Sequence, residues 1–241
     1  MTAADFASFS NSAVTFAGVV YALAFLAHVA EWALGRRVPV AEAEMVLAGG
    51  VGGSRQARPS PPSAELSVEK FGRVGVALTG LAGLLHLAGL VTRGLAADPV
   101  RVPWGNMYEF TLAGSMGVTL IYLLLLRRYG LRWLGLLVTG FSVVVLMLAA
   151  LLLYVPAGPL VPALQSYWLV VHVVAAVIAT GAFTVGGMTS LLFLVKQRAE
   201  QSPEPRTTGY IARLPASSVM DRVAYRVHAF GFPIWTFAAL V

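Results

Sequence analysis

Polar and apolar positions in this chain fall into long separate blocks rather than a short alternation. Apolar runs cover about residues 12–34, 71–92, 106–126, 131–154 and 166–195. Each reaches the roughly 20 residues a helix needs to cross a bilayer. A sixth run opens at Val227 and extends to Val241. Polar punctuation closes the runs: Gly35-Arg36-Arg37 after the first, Arg127-Arg128 after the third, Lys196 and Arg198 after the fifth. Asn106 stands where it can cap the third helix, and Ser217-Ser218 can cap a short helix over 219–226 that rises into the sixth run. Two stretches lack a periodic apolar face. Residues 38–70 carry Gly49-Gly50, Gly52-Gly53 and Pro59-Ser60-Pro61-Pro62-Ser63, and residues 199–216 are polar. The pattern predicts an all-α, polytopic membrane helix bundle with about six transmembrane helices. It forms one membrane domain over 1–241, with flexible linkers at 38–70 and 199–216.

Composition agrees with a lipid environment. The chain is 58% hydrophobic and 12% charged, with mean hydropathy +0.76, far more apolar than a soluble domain. Its net charge of +6 does not indicate a nucleic-acid partner, because the basic residues lie between apolar runs instead of forming a surface. They do set orientation. With the N-terminus outside, the basic residues of 36–73, 127–132 and 196–226 are cytoplasmic and only Arg93 and Arg101 are external, fifteen against two of the 17. The first eleven residues form no basic n-region, so the first helix is expected to stay in the membrane. There are no cysteines, which excludes disulfides, zinc–thiolate sites, iron–sulfur clusters and thiol catalysis.

Two stretches on the predicted outer face carry candidate chemistry. In Leu164-Gln165-Ser166-Tyr167-Trp168-Leu169-Val170-Val171-His172-Val173, Gln165 and Ser166 can cap the fifth helix. Trp168 and His172 share one face at i, i+4. That pair reads either as a membrane-belt Trp with a bundle-facing His, or as an aromatic wall beside a metal ligand. In Arg101-Val102-Pro103-Trp104-Gly105-Asn106-Met107-Tyr108-Glu109-Phe110, Asn106 caps the third helix and Tyr108 and Glu109 fall in its first turn, where a carboxylate is favoured. Capping plus an aromatic belt explains that stretch equally well, although two outer loops that each deliver Trp and polar groups favour a shared site. His86 lies in the outer half of the second run, as a core residue or a low-ranked ligand. His28 has Glu31 at i+3 and is expected to form a local pair, and His228 is given no role.

Three motifs in order resemble the CcsA/ResC family of cytochrome c biogenesis proteins. Pro103 to Phe110 resembles its Pro-x-x-Asn-x-Tyr-Glu element, and Leu164 to Val173 its Leu-Gln-Ser-x-Trp-Leu-x-x-His-Val. Asp221 to Arg226 followed by Gly231-Phe232-Pro233 resembles its Asp-x-x-x-Tyr-Arg…Gly-Phe-Pro. The glycine- and proline-rich stretch at 38–70 is similar to the actinobacterial, CcsB-like branch. The resemblance implies a system II role at the outer face of the bacterial plasma (inner) membrane. There, with a ResB-type biogenesis subunit, haem b is delivered and joined to the thiols of apocytochrome c. It further implies that His172 is an axial ligand to haem iron, with Trp168, Trp104, Asn106, Tyr108, Glu109, Gln165 and Ser166 around the haem. His86 is the weaker metal candidate. Family members continue past Gly-Phe-Pro into a tryptophan-rich segment and a second external His. On that basis residues 1–241 are expected to be a fragment of a cytochrome c haem lyase, inactive alone. Two other readings stay open: a b-type haem electron-transfer subunit with paired histidines, and a secondary transporter.

Overall fold

The computed structural model describes residues 1–35, 62–160, 165–202 and 209–240. Among these there is no strand. The helices are α1 Ala3–Gly35, α2 Pro62–Leu95, α3 Met107–Tyr129, α4 Gly135–Leu148, α5 Tyr167–Glu200, α6 Tyr210–Arg213 and α7 Ser217–Leu240. A 3-10 turn, Leu131–Leu134, precedes α4, and a π turn, Ala149–Leu153, follows it. Five of these segments are long and apolar enough to cross a membrane: α1, α2 from Glu65, α3, Leu131–Leu153 and α5. The sixth predicted span is not among them. It forms one continuous helix with its predicted short leader, whose Asp221, Arg222 and Arg226 lower its hydropathy.

Local chemistry sets the helix ends. α1 begins nearer the N-terminus than the apolar run suggests because Thr2 and Asp5 cap it reciprocally: Thr2 N donates to Asp5 Oδ2 (2.7 Å) and Asp5 N to Thr2 Oγ1 (3.2 Å). α2 takes in residues 62–70, the end of the stretch read as linker. Pro62 suits a first helical position, and Glu69 pairs with Arg73 one turn on (2.8 Å) and with Arg132 (2.8 Å). Residues 38–61 of that linker lie outside the described residues. α3 ends on Gly130 at φ 62, the left-handed conformation glycine adopts without strain, and Gly130 N–H donates to Leu126 O. Of the second linker, 203–208 lie outside the described residues. In the rest, α5 runs to Glu200, and α6 docks beside α1 through Trp32 and Tyr210 (ring centroids 4.2 Å) and Arg213 Nε to Gly35 O (2.9 Å).

The helices alternate in direction, so α1, α3 and α5 start at one end, the N-terminal face, and α2, α4 and α7 start at the other. α1 pairs closely with α2, and α5 with α7, while α3 joins α5 and α4 lies against α1. Helices gain little hydrophobic drive from association in lipid, so close backbone approach and polar contacts must hold them together. α1 accordingly turns a stripe of small residues inward: Ser10, Ala13, Ala17, Ala24 and Ala27. α3 and α5 cross where Gly117 faces Gly181. A Cβ on Gly181 would stand 2.8 Å from the Gly117 carbonyl carbon. Hydroxyl contacts add to this, with Tyr21 Oη donating to Thr119 Oγ1 (3.0 Å) and Ser10 Oγ to Gly89 O (2.7 Å).

Candidate functional site

At the N-terminal face the first turn of α3 is the fixed point. Asn106 caps as its position predicts, accepting at Oδ1 from Glu109 N (2.9 Å). The Glu109 side chain folds back and accepts at Oε2 from Gly105 N (2.8 Å), a reciprocal arrangement that pins the loop to the helix. The same carboxylate, fully buried, is held by two arginines. Arg93, in the last turn of α2, donates from Nε to Oε1 (3.1 Å). Arg101, in the loop, donates from Nη1 to Oε2 (2.7 Å) and from Nη2 to Oε1 (3.2 Å). Every carboxylate oxygen is therefore occupied, and Glu109 works as a clamp. Burial of such a carboxylate requires this pairing.

The clamp also holds the second loop. Arg93 Nη2 donates to Val155 O, and Arg101 Nε donates to Gly158 O (3.0 Å). Tyr108 packs edge-on to Tyr154 (5.3 Å between centroids), with the Arg93 guanidinium 5.1 Å from the Tyr108 ring. Trp104 is half-buried, and its backbone N–H donates to Val102 O (3.0 Å). The sequence signal for Arg93 and Arg101 was available: they are the two basic residues on the minority side, both close in sequence to a carboxylate that needed a partner.

At the start of α5, Ser166 takes the N-cap backbone conformation but makes no side-chain cap, and Gln165 Nε2 instead donates to Leu160 O (3.1 Å). The capping predicted for these two side chains is thus replaced by a loop contact and solvent exposure. Trp168 is 61% exposed. His172 lies one turn deeper, half-buried, and its side chain makes no hydrogen bond or ring contact to any described residue. Its imidazole is an unencumbered donor beside an exposed aromatic face. The two loops are tied together by Arg101, while Trp104 and Trp168 make no ring contact with each other.

The other histidines are enclosed. His86 is fully buried against Tyr21 (6.1 Å, edge-on), and it faces the Leu112 backbone without a well-formed hydrogen bond at either ring nitrogen. His28 pairs with Glu31 as predicted (Nδ1 to Oε2, 3.2 Å), and Glu31 in turn accepts from Arg132 Nε (2.9 Å) at the opposite end of the bundle. His228 Nδ1 contacts Ala224 O (2.7 Å), and its ring stacks on Phe183. No cluster of three or more His, Asp or Glu side chains suited to a metal ion occurs among the described residues.

Comparison with known proteins agrees with the motifs. The family model described as Cytochrome C assembly protein matches residues 104–241, more than half of the chain. A "Cytochrome c biogenesis protein CcsA" of Synechococcus sp. (strain JA-3-3Ab) is 28% identical over 213 residues, covering 65% of this chain and 62% of the relative. Its counterpart in Synechococcus sp. (strain JA-2-3B'a(2-13)) is 32% identical over 166 residues, covering 61% and 47%. That of Chlamydomonas reinhardtii is 31% identical over 144 residues, covering 57% and 39%. The chain thus spans about half the length of the curated relatives it matches. No solved structure matches it significantly. With five apolar spans and a family match that covers Trp104 to Phe110 and Leu164 to Val173, this multi-pass membrane protein belongs to the cytochrome c assembly protein family.

Proposed function

We propose that the chain holds haem b at its N-terminal face and presents it for covalent attachment to apocytochrome c, beside a ResB-type subunit. The N-terminal face is turned outward from the bacterial plasma membrane. The relatives' name supplies the process, cytochrome c biogenesis. One observation carries the site: His172 is half-buried, free of hydrogen bonds and one turn from an exposed Trp168. A neutral imidazole with no competing partner is a ready axial ligand, and an indole beside it suits the flat apolar face of a porphyrin. The residues present fit one axial bond and one aromatic wall. Both guanidiniums at this face are committed to Glu109, so the haem propionates are left to water or to a partner.

The division of labour follows from the cysteine-free composition. Thiols for vinyl addition come from the substrate, and this chain contributes position. The Glu109 clamp supports that task by fixing the 93–106 and 155–160 loops to α3, which crosses α5 at Gly117 and Gly181. The outward orientation is supported by the charge pattern: among the described residues Arg93 and Arg101, at the N-terminal face, are both paired with one carboxylate, while Arg132, Lys196 and Arg213 lie at the opposite end.

A b-type electron-transfer subunit would need two facing histidines, whereas His86 meets Tyr21 and the Leu112 backbone. A transporter would place charge at mid-depth, whereas the buried ions gather at the two ends of the bundle. The proposal is tested by titrating haem into the purified protein and following the Soret band. Saturable uptake of one haem per chain, weakened in His172→Ala, is expected. Uptake without saturation would overturn it.

A further inference from the structure

At the end of the bundle opposite the N-terminal face, the last turn of α3 meets the first half of α7. α3 closes on Arg127, Arg128 and Tyr129, and α7 carries Arg222 and Arg226 one turn apart. The Arg226 guanidinium carbon stands 5.9 Å from the centre of the Tyr129 ring, and this pair bridges the two helices.

All four arginines are exposed, and among the described residues none has an ion pair or a hydrogen bond. Other carboxylates at that end are already in use. Glu31 and Glu69 hold Arg132, while Glu200 accepts from Ser217 and lies 3.8 Å from Lys196. Asp221 is the only acidic residue of α7 and pairs with none of the four arginines. Arg226 is therefore held in place by a ring while its planar fork of donors stays open.

Depth identifies what lies beside it. Tyr129 ends a membrane-crossing helix, so Arg226, over its ring, stands at the level of the lipid headgroups. Beyond Arg226, α7 runs along α5, another crossing helix: the His228 ring stacks on Phe183, and Gly231 lies against Ala182 and Phe183. Leu124 of α3 and Phe230 of α7, each about one turn deeper, are exposed where acyl chains lie.

We propose that the Tyr129–Arg226 junction binds an anionic phospholipid of the leaflet at that end. Arg226 forks onto the phosphodiester while remaining over Tyr129. Arg222, Arg127 and Arg128 surround the headgroup with positive charge, and the acyl chains descend along Leu124 and Phe230. Charge and position select this occupant. A zwitterionic phospholipid brings an ammonium into a field of four cations. A free phosphate ion has no chains to lie on the apolar residues below. The site is separate from His172, and it exists in either orientation of the chain.

The full chain is purified in a neutral detergent, and its unfolding midpoint is followed as phosphatidylglycerol, phosphatidylcholine or inorganic phosphate is titrated in. Each variant is compared with its own lipid-free midpoint, which removes differences in basal stability. Phosphatidylglycerol is expected to raise the midpoint saturably, and the other two to leave it in place. Arg226→Gln should weaken phosphatidylglycerol about fivefold, and Arg222→Gln added to it about 25-fold. Arg226→Lys keeps the charge and loses the fork, so its affinity should fall between those of the unmodified chain and Arg226→Gln. Arg73→Gln, which removes one exposed charge from α2 at the same end, should leave affinity unchanged. Equal stabilisation by phosphatidylcholine, an equal response to inorganic phosphate, or the same phosphatidylglycerol affinity in Arg226→Gln as in Arg73→Gln would each overturn the assignment.

Discussion

Arg93 and Glu109 form an ion pair, Nε to Oε1 at 3.1 Å, in which each side chain is 1% exposed. Arg101 completes the pairing from the loop. Removing one partner of a buried pair strands the other, which typically costs about 3–5 kcal/mol. Glu109→Ala should lower stability by that order, measured by unfolding in mixed micelles. Glu109→Gln keeps acceptor geometry without the charge and should fall between. An unchanged midpoint for Glu109→Ala would mean the clamp does not hold the loops.

The absence of cysteine permits a direct topology experiment. Single cysteines at Gly158, in the loop tied to Arg101, and at Ser202, beyond α5, lie at opposite ends of the bundle. In intact cells an impermeant maleimide should label Gly158→Cys and spare Ser202→Cys until the membrane is opened. The reverse pattern would turn the N-terminal face inward and remove it from any external substrate.

Much of this architecture was readable because membrane helices declare themselves by run length, and the cap at Asn106 is a local signal. The misplaced boundaries have non-local or overlooked causes. The start of α2 was hidden because Glu65, Glu69, Lys70 and Arg73 look like a solvated linker, and Glu69 is recruited by Arg132, far along the chain. The Thr2–Asp5 cap is local, but it precedes the apolar run that defined the first span. At the site, the placement of Trp168 and His172 one turn apart on one helix follows from helix periodicity alone. The clamp on Glu109 does not, because it depends on Arg93 and Arg101 arriving from two different elements. The π turn at Ala149–Leu153 has no mark in the sequence.

The α3–α5 crossing admits no side chain. Gly181→Val would drive Cβ to 2.8 Å from backbone carbon and 2.9 Å from backbone oxygen of Gly117, where no side-chain rotation relieves the clash. Overpacking of this kind costs about 1–3 kcal/mol. Unfolding midpoints should fall accordingly, and haem affinity should fall with them because α5 carries His172. Gly80→Ala, with nothing within 4 Å of its Cβ, is the matched control and should change neither.

His86 separates a core histidine from a ligand. Both its nitrogens are buried without partners, so His86→Leu removes unsatisfied polar atoms at modest change in shape. Unfolding in micelles should show stability held or raised, and haem uptake should be unaltered. Loss of haem in a folded His86→Leu protein would move iron ligation into the bundle.

The proposed bond from His172 to haem iron is tested by the absorbance spectrum of haem-loaded His172→Ala with and without imidazole. Losing a half-buried imidazole that makes no hydrogen bond should leave the fold and its unfolding midpoint intact. A weakened and shifted Soret band is expected, restored in part by millimolar imidazole, since a free ligand can fill a vacated axial position but cannot repair packing. A His172→Ala spectrum identical to that of the unmodified protein, unaffected by imidazole, would contradict it.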